Sequence, residues 1–177
     1  QGDHIILSEN VYGGTYRVMD KIFNRFGLTA SWVDTSDISA VKNNIQSNTK
    51  LIFIETPTNP MMQLSDIRKI AVIADKHKII LAVDNTFMSP YFQRPLTLGA
   101  QIVVHSTTKY LNGHSDVVGG IVITTDSSLL EELQFIQMSV GGIPSPQDCW
   151  LTQRSLKTLT VRLKEHNRNA MRLSQIL

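Results

Sequence analysis

A three-layer α/β/α sandwich around a mostly parallel sheet is the fold class this sequence predicts, and three observations carry it. Short β-branched apolar runs alternate with amphipathic stretches along most of the chain, which is the rhythm of βαβ units. Two of those runs, residues 78–83 and 102–104, stop abruptly at chemically capable residues: Asp84-Asn85-Thr86 after the first, His105-Ser106-Thr107-Thr108-Lys109-Tyr110 after the second. Continuous apolar runs of this kind read as buried parallel strands. In open parallel sheets the ligand crevice lies beyond the carboxyl ends of the strands, so Asp84 and Lys109 are expected at one working edge.

Taken in order, Ile5-Ile6-Leu7 reads as the first strand, followed by the loop Asn10–Arg17, in which Gly13 and Gly14 beside Tyr12 permit a sharp turn. Met19–Phe26 reads as a helix stopped by Gly27, a good residue beyond a helix C-terminus. Leu28–Val33 is the next strand, and Ser36 is a cap candidate for a helix reaching about Ile45. Leu51–Ile54 is a buried strand that ends in Glu55-Thr56-Pro57-Thr58-Asn59-Pro60, where two prolines stiffen the loop and aim the Asn59 amide toward the crevice. Ser65 is expected to open the helix Asp66–Lys76, whose Ile67, Ile70, Ala71 and Ala74 fall at helical spacing. Ile79–Val83 delivers Asp84, and residues 85–92 form a covering loop. After the lysine segment, Asn112-Gly113 signals a turn, and residues 116–124 return as a strand whose connection is short enough to suit an antiparallel pairing. Ser127 or Ser128 is a cap candidate for a helix to about Met138. Glycines and prolines break the chain at 139–146, and a long helix follows from Pro146. Its Leu159, Leu163, Ala170, Leu173 and Leu177 form an apolar stripe, with Arg162, Lys164, Arg168 and Arg172 expected on a solvated or interdomain face.

Composition narrows the function. With 177 residues, 42% of them hydrophobic, the chain can bury one good core. A net charge of +2 without a dense basic cluster argues against nucleic acid. One cysteine, Cys149, leaves no internal disulfide and suits a reducing compartment. No apolar run is long enough to span a bilayer, and no signal peptide opens the chain, so a cytoplasmic protein with no membrane partner is expected. His105 and His114 lack further ligands at a recognisable spacing, so no metal site is expected. The chain begins without a start methionine and stops within a helical pattern, so a longer protein is expected.

The chemistry of the two strand ends is specific. A lysine amine serves covalent catalysis when a carbonyl partner is held beside it. Hydroxyls at Ser106 and Thr108 are suited to holding a phosphate on such a partner, and a buried Asp84 is suited to pairing with a cationic ring nitrogen, as in pyridoxal phosphate enzymes. The plain alternative is a surface lysine at a loop start and a capping aspartate.

The strings Val83-Asp84-Asn85-Thr86-Phe87, Glu55-Thr56-Pro57-Thr58-Asn59-Pro60 and His105 through Asp116 resemble the Cys/Met-metabolism family of pyridoxal phosphate enzymes, and the likeness runs from Gly2 to the C-terminus in the expected order. The resemblance implies the large domain of fold type I, with residues 1–150 a partial cofactor-binding domain and 151–177 a long helix leading toward a C-terminal domain outside the chain. It implies pyridoxal 5′-phosphate held covalently on Lys109, which also moves substrate protons. Tyr12 would stack on the cofactor ring and assist proton traffic, Asn59 would bond the ring hydroxyl, and Asp84 would hold the ring nitrogen protonated. Thr86 would help position the cofactor, Ser106 and Thr108 would fix the phosphate, Arg17 would face substrate, and Glu55 would orient local groups.

A small amino-acid substrate and a homotetramer, a dimer of dimers, follow from the same likeness. Residues 112–118 and 144–151 are most similar to the cystathionine γ-lyase and γ-synthase branch, with cystathionine β-lyase and methionine γ-lyase also in the family. The phosphate-binding glycine turn, a neighbouring subunit's tyrosine and arginine, and the carboxylate-binding arginine of the family have no counterpart in this segment. The segment alone is therefore expected to be inactive. A non-catalytic scaffold that keeps the fold is the reading from a different class.

Overall fold

The computed structural model of the protein describes residues 2–177. Six strands form one sheet in the order β2-β1-β3-β4-β5-β6. They are β1 (His4–Ser8), β2 (Thr29–Val33), β3 (Thr49–Glu55), β4 (Ile80–Asp84), β5 (Ile102–Ser106) and β6 (Gly120–Ile123). The first five run parallel. β6 pairs antiparallel with β5, from Val103 opposite Ile123 to Ser106 opposite Gly120, as the short connection demands. The α/β class read from the sequence is the one observed.

Strand alternation sorts the apolar side chains onto two faces. Ile6, Ile52, Ile54, Leu81 and Val83 point to one face, where α2 (Ile38–Asn43) and α3 (Ile67–Lys76) cover them. α3 contributes Ile67, Ile70, Ala71 and Ala74, the i, i+3, i+4, i+7 stripe of a helix with one buried face. Across the sheet, Ile5, Leu7, Leu51 and Phe53 line an open apolar cleft of about 450 Å³ together with Tyr12, Val18 and Met19. A smaller cluster, Leu111 with Leu159 and Leu163 and the flanking Tyr91 and Tyr110, seats the last helix on the lysine segment.

Several boundaries differ from expectation, each for a local reason. Helix α1 (Gly13–Arg17) starts at the glycine pair expected to turn, and its continuation through a π-turn at Val18–Ile22 and a 3₁₀ turn at Phe23–Phe26 ends at Gly27, with φ +79°. Aspartates displace the expected serine caps. The Ser39 N–H donates to Asp37 at 2.8 Å, the Lys69 N–H to Asp66 at 3.1 Å, and the Leu129 N–H to Asp126 at 2.9 Å. Ser36 instead bonds Asp34 and Ser65 bonds Thr35, so neither is available. α4 (Ser89–Phe92) is a single turn in the covering loop, and α5 (Ser127–Val140) buries no residue. The expected long helix from Pro146 is two helices, α6 (Pro146–Leu156) and α7 (Leu159–Ser174), with Ser145 capping the first through the Asp148 N–H. Leu159 and Leu163 are buried, whereas Leu173 and Leu177 are exposed, so only the first half of the α7 stripe is used.

No helix of the described residues is long and apolar enough to cross a membrane. Among the same residues no group of three or more His, Cys, Asp or Glu side chains could hold a metal ion.

Ile52 is fully buried in β3, between β1 and β4. Ile52→Ala is expected to lower unfolding free energy by about 2–5 kcal/mol, read from urea denaturation midpoints at unchanged slope; a loss within about 0.5 kcal/mol would contradict this packing.

Candidate active site

Parallel register aligns the carboxyl ends of the three central strands. Glu55 stands opposite Asp84 across β3 and β4, and Asp84 opposite Val104 across β4 and β5. The polar residues that follow each strand therefore emerge at one level. Asp84 is half-buried, and its Oδ1 accepts from the Thr86 N–H at 3.0 Å and the Thr86 hydroxyl at 2.5 Å. That same hydroxyl accepts from the Ser106 N–H at 2.8 Å. Thr86 therefore joins the ends of β4 and β5. Its single proton is spent on Asp84, so it acts by fixing the carboxylate.

Glu55 is the second joint of this edge. It is 6% exposed and accepts from the Tyr12 N–H at 2.7 Å and the Asn59 N–H at 2.9 Å. One carboxylate thus ties the loop after β1 to the loop after β3. Burial pushes its carboxyl up to about 7, with the Asp84 charge acting the same way, while the two backbone donors oppose them. His105, buried on β5, is held below the usual imidazole range by desolvation, partly offset by Asp84 and an Asn85 backbone contact.

The lysine segment Thr107–Leu111 is a tight turn interrupted at Lys109, whose φ −94° and ψ −125° are not helical. Lys109 is exposed and opens into a cleft of about 470 Å³ shared with Phe87, Thr108, Tyr110, Arg162 and His166. The Thr108 hydroxyl accepts from the Gly119 N–H at 3.0 Å and faces the Gly119 carbonyl at 3.3 Å. An anion here would compete with that carbonyl for the hydroxyl proton.

Lys109 and Thr108 thus share one cleft, and Asp84, Thr86 and Ser106 share one hydrogen-bonded chain. Tyr12 lies in the apolar cleft on the β1–β3 side, its ring 52% exposed and folded over Gly14, where a Cβ would overlap it. Arg17 is exposed on α1, its guanidinium over Gly13. Arg162, expected to face outward, turns inward: it is half-buried and donates to the Tyr110 carbonyl beside the lysine at 2.8 Å. The missed signal was its position three residues after Leu159 and one before Leu163, on the flank of the stripe that packs.

The model of the Cys/Met metabolism PLP-dependent enzyme family matches residues 1–177. The chain belongs to this family. Its relatives include the cystathionine γ-lyase of Bacillus subtilis, 54% identical over 99% of this chain and 46% of that protein. A probable cystathionine γ-synthase of Herpetosiphon aurantiacus is 49% identical over 99% of this chain and 55% of its own length. Among solved structures, cystathionine γ-lyase from Lactobacillus plantarum complexed with L-serine superposes with a TM-score of 0.98 at 47% identity, covering 99% of this chain and 46% of that one. The chain spans about half the length of the relatives it matches.

The donor set suits the cofactor of this PLP-dependent family. Among the described residues, hydrogen bonds leave Asp84 Oδ2, Ser106 Oγ and Lys109 Nζ unengaged. These offer an acceptor for a ring N–H, a hydroxyl for a phosphate oxygen and an amine for a carbonyl carbon.

The Glu55 carboxyl, raised from 4.5 to about 7 on folding, contributes stability that is complete below about pH 4.5 and lost as pH rises through about 7. Across that window the stability of Glu55→Gln relative to the parent is expected to rise by on the order of 3 kcal/mol. Urea unfolding at a series of pH values measures it, and a pH-independent difference would refute the buried-carboxyl account.

Proposed function

We propose that the protein containing this chain is a pyridoxal-phosphate-dependent carbon–sulfur lyase that cleaves cystathionine to cysteine, 2-oxobutanoate and ammonia in transsulfuration. The reading is supported by the parallel pairing of β4 with β5, with an unengaged Asp84 Oδ2 at the end of β4 and Lys109, its amine without a hydrogen-bond partner among the described residues, in the turn that follows β5. When bound, the cofactor supplies an electron sink for the carbanion left when an amino acid loses its α-proton.

The protein's own groups do the rest. Lys109 Nζ would hold the cofactor covalently, and as a free amine it would take the α-proton and return it to a neighbouring carbon. Asp84 Oδ2 accepts from the ring N–H and keeps it protonated, while Thr86 holds Oδ1 so that the carboxylate cannot swing away. Ser106 Oγ and Thr108 Oγ1 donate to the phosphate. Asn59 donates to the ring hydroxyl, and Glu55 fixes the backbones of both Asn59 and Tyr12. Tyr12 would lie over the ring and relay protons, and Arg17 would meet the substrate. A homotetramer, a dimer of dimers in the cytoplasm, is part of the same reading. The domain division at residue 150 belongs to it too, with α6 and α7 leading toward further chain.

Cystathionine γ-synthase is the second reading, supported by 49% identity to a probable member of that activity. Full-length protein assayed with cystathionine is expected to release 2-oxobutanoate, and with an activated homoserine ester plus cysteine to form little cystathionine. No 2-oxobutanoate from cystathionine sinks the lyase. Lys109→Ala should lose the visible band of lysine-bound cofactor and at least a hundredfold of turnover. Unchanged turnover in that variant would favour a scaffold.

A further inference from the structure

Arg162 spends all three of its nitrogens on one junction. Nη1 donates to the Tyr110 carbonyl at 2.8 Å, Nη2 to the Ser155 carbonyl at 3.1 Å, and Nε to the Thr158 hydroxyl at 3.0 Å. The planar fork thereby ties the lysine segment to the break between α6 and α7. Among the described residues Arg162 has no carboxylate partner. Burial disfavours its charge, and a carboxylate-free, half-buried guanidinium is a costlier brace than an apolar side chain of the same length.

Its surroundings are built to receive it. Gly113 sits at φ +72°, and a Cβ there would overlap the Arg162 guanidinium. Ser155 donates to Asn112 Oδ1 at 3.1 Å, and the fully buried Asn112 donates to Asp116 at 2.6 Å, so the far side of the lysine loop is tied to the same α6 residue. His166, one turn along α7, lies edge-on to the Tyr110 ring at 5.5 Å. Between these restraints lies Lys109, whose backbone departs from the turn on either side of it.

We propose that Arg162 is a positioning residue for the cofactor lysine: its fork fixes the Tyr110 carbonyl, and through the adjoining peptide it sets the direction in which Lys109 leaves the backbone. Arginine rather than lysine is required, because three acceptors in a fixed plane match a guanidinium and exceed what a point-charge ammonium can fix. The proposal rests on the assignment of Lys109 as the cofactor's anchor.

The test uses the full-length holoenzyme, its Arg162→Met and Arg162→Lys variants, and the cofactor-free form of each. Arg162→Met is expected to slow formation of the visible lysine–cofactor band roughly tenfold or more when pyridoxal phosphate is added. It should lower kcat by a similar factor with a smaller change in KM, because misplacing a reacting group by an ångström costs that order. Arg162→Lys should fall between. A brace without a positioning role lowers the thermal midpoint but leaves the band-formation rate and kcat at parent values below that midpoint, and this result overturns the proposal. If Arg162→Met does not fold, the same criteria apply to Arg162→Lys, where a parental rate overturns it. Borohydride fixation and peptide mapping of the parent test the underlying assignment separately: a label on any residue but Lys109 removes the anchor, whatever the Arg162 variants do.

Discussion

Two carboxylates face each other at the working edge because the parallel ladder of β3 and β4 sets Glu55 directly opposite Asp84. Like charges this close cannot both be ionised cheaply in a desolvated setting. The structure separates their roles by surroundings. Glu55 is more buried, is pushed toward its neutral form, and is consumed by two backbone donors from different loops. Asp84 is held on one oxygen by Thr86 and keeps the other unengaged. One acid therefore shapes the rim, and its neighbour keeps one acceptor oxygen without a partner.

The same division explains how four strands and three loops act as one surface. Thr86 bridges β4 to β5 through the Ser106 N–H, Glu55 bridges the loops after β1 and β3, and Ser8 accepts from the Glu55 N–H at 3.3 Å. Thr86 and Ser8 do this with short side chains against backbone, a low-entropy way of fixing loops, whereas Glu55 is a longer side chain held by two backbone donors.

Much of this was legible in the sequence, and the failures have definite causes. Strand ends were readable because each apolar run stops at a polar residue, and that located Asp84 and Lys109. The antiparallel return of β6 followed from the short connection. At three helix starts an aspartate and a serine stand next to each other, and spacing alone does not say which oxygen meets the free N–H. The glycine pair at Gly13 suggests a turn, yet both glycines lie within α1, and the Tyr12 ring lies against the second of them, Gly14. The charge of Arg162 alone predicts an outward side chain. Its direction is set by three acceptors contributed from elsewhere, which no local pattern contains.

The hairpin that carries Lys109 is closed locally, by β5 pairing with β6 across residues 107–119. The bond that ties its Tyr110 carbonyl to Arg162 spans 52 positions of chain. Loop-closure entropy grows with such separations, so the two events are unequal in difficulty. A partly folded chain with its sheet assembled and α7 undocked would already present the lysine at the edge, with its direction unset. The restraint on the lysine turn is then acquired later than strand order, in the step that seats Leu159 and Leu163 against Leu111.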